Sequence, residues 1–154
     1  MAGETMAQNQ AQDMNELFTV GQFIKKKMMQ ACAPLAAESG LRTVELDILY
    51  FLAQNASAGA DTARDIIQAR GVSKAHISKS VDNLYHGGYI TLDEDEGDHR
   101  RTHIRLTAKA HALVETYRAL LRGIMKALML GVTEQERAAV RSVADKVTAN
   151  ANRL

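Results

Sequence analysis

From Asp13 onward the apolar positions recur at helical spacing. Met14, Leu17, Phe18, Phe23, Ile24, Met28 and Leu35 fall mostly three or four residues apart, which lines one side of an α-helix. Asp13 and Glu16 stand where a cap and its third-position carboxylate belong, and Pro34 predicts an end or a kink. Residues 1–12, MAGETMAQNQAQ, are small and polar and predict a flexible tail. Ser39-Gly40 breaks the chain, and Thr43 is placed to cap a second helix, VELDILYFLAQN. A loop, ASAGA, leads to Asp61, a cap for the short helix TARDIIQAR, which Gly71 stops.

Ser73 opens a fourth helix, SKAHISKSVDNLYH, closed by Gly87-Gly88. The period then changes from near four to two. YITLD alternates with β-branched residues, DEGD is a turn, and RTHIRLT alternates again, so two strands around a tight turn are expected. Thr107 caps a long helix to about Leu130, apolar at Leu113, Val114, Tyr117, Leu120, Leu121, Ile124, Leu128 and Met129. Gly131 ends it, and Thr133 with Glu136 forms a capping box for a last helix, EQERAAVRSVADKV. The expected fold is mainly α with a small β-hairpin: a helix-turn-helix with a wing, flanked by helices too apolar to stand alone.

Composition alters this picture little. The 154 residues are 46% hydrophobic and 24% charged, enough for a core in one domain or two fused subdomains. A net charge of +1 does not by itself point to nucleic acid, so any basic chemistry must be local. Cys32 is the sole cysteine and leaves no internal disulfide. No apolar run approaches the roughly 18 residues that span a bilayer, and the start lacks a secretory pattern. A cytoplasmic protein with no membrane partner is expected.

On a helical wheel the fourth helix puts Ile77, Val81 and Leu84 on one side. Ala75, His76, Lys79, Asp82, Asn83 and His86 lie around the other, with Lys74 and Ser78 at its edge. Small or hydrogen-bonding side chains near the start of such a helix suit a DNA major groove. Periodicity alone favours an ordinary amphipathic helix with a solvated polar face; the position just before a wing is what points to DNA.

The stretches GLRTVELDILYFL, SKAHISKSVDNLYHGGYI, GDHRRTHIRLT and LGVTEQERAAV resemble the MarR family of winged helix-turn-helix transcriptional regulators. The resemblance covers about residues 13–150. Its most specific part is the wing, where the family's Asp-x-Arg and following Leu-Thr fall at Asp98, Arg100, Leu106 and Thr107. It implies a homodimer in which residues 13–40 and 107–154 form a dimerisation region and residues 41–106 a winged DNA-binding region. It also implies a pseudopalindromic operator, repression as the usual outcome, and release by a small, often aromatic or phenolic, effector. The residues then expected at DNA are Arg42, Thr43, Thr62, Arg64, Ser73, Lys74, Ala75, His76, Ser78, Lys79, Asp98, Arg100 and Arg101.

The wing chemistry is consistent with that role. A narrow minor groove attracts a guanidinium, and Asp98 can aim Arg100 by a charge-assisted hydrogen bond. A surface hairpin with an incidental ion pair is the plainer reading. One departure stands out: residues 61–106 carry a net charge of −1, and without Asp93 to Glu96 the same span would carry +3. Either those acids face away from DNA or the nonspecific grip is weak, and Asp98 alone is given a chemical part. A helical homodimer that binds ligands or proteins, with little DNA affinity, is the competing function.

Other chemistries find less support. From Asp93 the glycine falls fifth and Ile104 occupies position twelve, which fails the EF-hand pattern. His111 and Glu115 are four apart on a helix, but no H-x-x-x-H or CxxC accompanies them, so no metal or other cofactor is expected. The peroxide-sensing branch of the family places its cysteine near the start of the first helix. Cys32 lies only nine positions before Leu41 and reads as a small buried thiol. No nucleophile–base set or phosphate loop is present, so no enzyme and no catalytic residues are expected.

Overall fold

A computed structural model describes residues 2–153 except Glu96, His99 and Arg100. Helix α1 spans Ala2–Glu38, α2 Thr43–Asn55, α3 Ala63–Arg70 and α4 Lys74–His86. Strands β1 (Ile90–Glu94) and β2 (Thr102–Leu106) follow, then α5 (Ala108–Leu128) and α6 (Glu134–Ala151). The chain divides into two compact units, one up to Leu121 and one from Arg122, with α5 crossing the division. Among the described residues no helix is long and apolar enough to cross a membrane.

Several helix boundaries differ from expectation, each for a local reason. Helix α1 begins at Ala2 rather than Asp13, because residues 2–12 are mostly Ala, Gln, Glu and Met, strong helix formers even without an apolar stripe. It also runs through Pro34, where Cys32 and Ala36, buried on the flanking turns, hold the helix in place. Arg42, not Thr43, occupies the cap of α2: its backbone N–H donates to Glu45 Oε2 at 2.8 Å. Thr62, not Asp61, caps α3, in a reciprocal box. Asp65 N–H donates to Thr62 Oγ1, and Thr62 N–H donates to Asp65 Oδ2.

The remaining caps fall where the pattern puts them. Ser73 Oγ accepts from His76 N–H, Thr107 Oγ1 from Ala110 N–H and Thr133 Oγ1 from Glu136 N–H. Gly71 stops α3 at φ 61°, a left-handed conformation open to glycine at no steric cost.

The core of the first unit sits under α2. Ile48, Leu49 and Leu52 meet Ile66 of α3, Ile77 and Leu84 of α4, Ile90 and Ile104 of the hairpin, and Ala110 and Val114 of α5. The strands pair antiparallel with Leu92 opposite Ile104 and Asp93 opposite His103. Alternation sends Ile90 and Ile104 into the core from one face, on which Leu92, opposite Ile104 and nearer the turn, is exposed, while Thr91 and Arg105 on the other face meet solvent. Tyr89, just before β1, is buried and donates its hydroxyl to the Ser39 carbonyl at 2.8 Å, tying the exit of α4 to the end of α1.

In the second unit α6 buries none of its described residues, and Val140, Val143 and Val147 are exposed. Leu17, Phe18, Val20 and Phe23 of α1 are likewise exposed.

Candidate nucleic-acid interface

Helix α4 is held from behind by a polar network as well as by its apolar face. Glu45 is 1% exposed and receives Arg42 Nε at 3.0 Å, while Asn83 Nδ2 on α4 donates to the same oxygen at 3.0 Å. Arg42 also donates to Ser80 Oγ, buried on α4, at 3.1 Å. Burial works to raise the Glu45 pKa, but the bonds from Arg42 and Asn83 outweigh it and hold the carboxyl below its usual range. Two polar contacts, Asn83 to the Glu45 carboxylate and the Arg42 guanidinium to Ser80, therefore tie α4 to the start of α2.

On the opposite side Ser73, Lys74, Ala75, His76, Ser78 and Lys79 are all exposed, in the first half of the helix. The structure thus gathers six of the expected residues on one free surface. Arg64 on α3 is exposed as well and lines a cleft of about 680 Å³ with Asp65, Gln68, Asp98, Arg101 and Thr102. The cleft separates the start of α3 from the wing and carries one arginine from each side.

Thr62 lines this cleft too, but it is buried and its hydroxyl serves the α3 cap, donating to Asp65 Oδ2 at 2.6 Å. Two expected residues stand elsewhere. Thr43 lines a different cavity, between α1, α2 and α5. Arg42 has its guanidinium engaged by Glu45 and Ser80. Arg100, and with it the expected Asp98–Arg100 pair, lies outside the described residues. Asp98 contributes backbone contacts: its N–H donates to Asp95 Oδ1, and its carbonyl accepts from Arg101 N–H.

The acidic run is where reasoning from sequence missed most. Asp95, not Asp98 alone, has a chemical part. Its Oδ1 accepts from the N–H groups of Gly97 and Asp98 and closes the turn, while its Oδ2 meets His103 Nε2 at 2.9 Å. The other ring nitrogen of His103 meets Asp61 Oδ1 at 2.7 Å. Asp61 Oδ2 in turn accepts from Arg105 at 2.7 Å, and Arg105 reaches Asp93 at 3.6 Å. Hydrogen bonds, first from His103 and then from the turn amides, lower the Asp95 pKa to about 2. The bonds to Asp95 and then Asp61 raise that of His103. An aspartate at the first position of DEGD is a turn signal in its own right. The partner histidine, by contrast, is brought in by the strand register.

Residues 39–101 match the family model described as MarR family. The segment is a MarR-family winged helix. Among solved structures, the MarR fold of this chain is similar to a MarR protein from Peptoclostridium difficile, with TM-score 0.76 and 19% identity over 89% of this chain and 87% of that one. It is similar to MepR of S. aureus, solved in complex with DNA, with TM-score 0.74 and 21% identity over 86% and 96% of the two chains. It also resembles Bordetella bronchiseptica BpsR, described for regulation of its DNA binding by 6-hydroxynicotinic acid, with TM-score 0.68 and 19% identity over 86% and 98%. At these identities the likeness establishes the MarR fold across most of the chain. No curated protein matches the sequence.

Proposed function

We propose that the protein is a sequence-specific, DNA-binding transcriptional regulator that works as a homodimer on a pseudopalindromic operator. One observation carries this reading. The first half of α4 presents two lysines, two serines, an alanine and a histidine on an open face, while Ser80 and Asn83 farther along tie it to Arg42 and Glu45 at the start of α2. Such a helix offers donors, acceptors and a methyl to base edges in the major groove. Arg64 and Arg101, across the cleft, suit the flanking phosphates, and Arg100 suits the minor groove. In this scheme residues 41–106 read DNA, while residues 13–40 and 107–154 supply the dimer surface. The exposed apolar faces of α1 and α6 support that division.

Release would come from a small effector in the cavity of about 440 Å³ between α1, α2 and α5. Tyr50 and Tyr117 line it edge to face, their centroids 5.7 Å apart, and Arg70 lies at its rim. Aromatic walls with two cations, Lys25 and Arg70, suit an aromatic or phenolic acid. Repression in the cytoplasm is the expected setting.

The competing reading, a ligand-binding dimer with little DNA affinity, drew its support from the acidic wing. That support weakens because Asp93 and Asp95 are engaged by Arg105 and His103. Selection from a randomised duplex pool, followed by footprinting, tests the proposal. Two half-sites centred about 34–36 Å apart are expected. A footprint on isolated single half-sites, or no enrichment at all, would refute it.

A further inference from the structure

The hairpin is joined to the helix-turn-helix at one titratable point. Backbone contacts bring β2 to the start of α3: Ile104 N–H donates to the Asp61 carbonyl at 2.8 Å, and Thr62 bridges His103. The His103 side chain, 18% exposed, extends that junction to the far end of the wing, because its two nitrogens reach Asp61 at the α3 start and Asp95 in the turn. We propose that His103 is the positioning residue of the wing, holding the wing tip against the helix-turn-helix when protonated and letting it go when neutral. Where this concerns DNA affinity, it rests on the DNA-binding reading above.

The chemistry follows from proton inventory. An imidazolium donates from both nitrogens, so it can serve two carboxylates at once; a neutral ring donates from one and presents a lone pair at the other. The charged groups at the junction are Asp61 from the α3 side, with Asp65 one turn on. Asp93 and Asp95 come from β1 and the turn, and Arg105 and Arg101 from β2 and its approach. Asp61 is 4% exposed in its side chain and also holds Arg105, so the remaining proton stays on Nδ1 facing it. Asp95 Oδ2 then faces a lone pair, and the contact to the turn is lost.

The junction therefore fails at the wing tip and not at its base. Arg101, two residues before His103 and across the cleft from Arg64, is the described residue whose placement depends on it most directly. The sign is fixed by the directions of the two shifts. The His103 contribution is complete below the ordinary histidine value of about 6.5 and is lost as pH rises through the higher folded value.

The test compares wild type with His103→Gln and Asp95→Asn between pH 6 and 9. Two readouts are used: amide protection factors in the turn, at Asp95 and Asp98, and affinity for the duplex that wild type recovers from a randomised pool at pH 6. His76 and His86 on α4 are present in every protein compared, so any difference isolates His103 and its partner. Wild type should lose turn protection as pH rises and lose affinity roughly three- to tenfold more than either variant does. Equal pH dependence of turn protection in wild type and His103→Gln would overturn the proposal, as would equal slopes of affinity. If wild type recovers no duplex at any pH, the DNA-binding reading falls, and turn protection still decides for or against the clamp.

Discussion

Tyr117 donates its phenolic hydrogen to Asp47 Oδ1 at 2.6 Å, joining α5 to α2 across 70 residues of sequence. The pair sits at the wall of the cavity between α1, α2 and α5, beside Cys32. Burial first, and the nearby Asp47 second, push the Tyr117 pKa upward, so the phenol stays a donor at any working pH. Tyr117→Phe leaves the Asp47 carboxylate without that donor in a half-buried site. Urea denaturation should show a loss of about 1–2 kcal/mol. An unchanged midpoint would mean that water replaces the phenol fully.

Cys32 lies against the same pair. Burial raises its thiol pKa most; a hydrogen bond with Tyr117 pulls it back, and the Asp47 charge raises it again. A raised pKa and 2% exposure leave little thiolate and little access. Alkylation at pH 8 should be at least roughly tenfold slower in the native protein than in urea. Equal rates would reopen a redox role for Cys32.

The wing network predicts a pH window for stability. Asp95, lowered to about 2 from 3.8, adds stability that is present above about pH 4 and lost as pH falls toward 2. The raised His103 adds stability that is present below about pH 6.5 and lost at higher pH. The difference in urea midpoint between wild type and Asp95→Asn should therefore be widest between about pH 4 and 6.5 and narrow on both sides. A constant difference from pH 3 to 9 would contradict the assignment.

How much of this could be read from the chain varies with the physics involved. The order of helices and strands was legible because the apolar period switches cleanly between helix and strand, and because Ser73, Thr107 and the Thr133–Glu136 pair are strong caps. The exposed face of α4 was legible for the same reason: Ile77 and Leu84 bury as their spacing requires. What periodicity hides is competition between neighbours. Asp61 and Thr62 are adjacent potential caps, and tertiary partners decide between them: His103 and Arg105 claim Asp61 and leave the cap to Thr62. Arg42 and Glu45 likewise look like ordinary surface residues until Asn83 and Ser80 arrive from 38 residues away.

Lys79 is exposed on the open face of α4, free of the network behind it. Lys79→Ala should leave the urea midpoint within about 0.5 kcal/mol of wild type and reduce the salt slope of DNA binding by about 1. An unchanged slope would mean that the DNA-facing side of α4 is misassigned.

The central claim is that this fold reads duplex DNA, and a salt titration of binding tests it most directly. Fluorescence anisotropy with the selected duplex and a scrambled duplex of equal length should show tight, sequence-dependent binding, with log K falling linearly with log salt for both. Equal affinity for the two duplexes, or no binding at low salt, would contradict it.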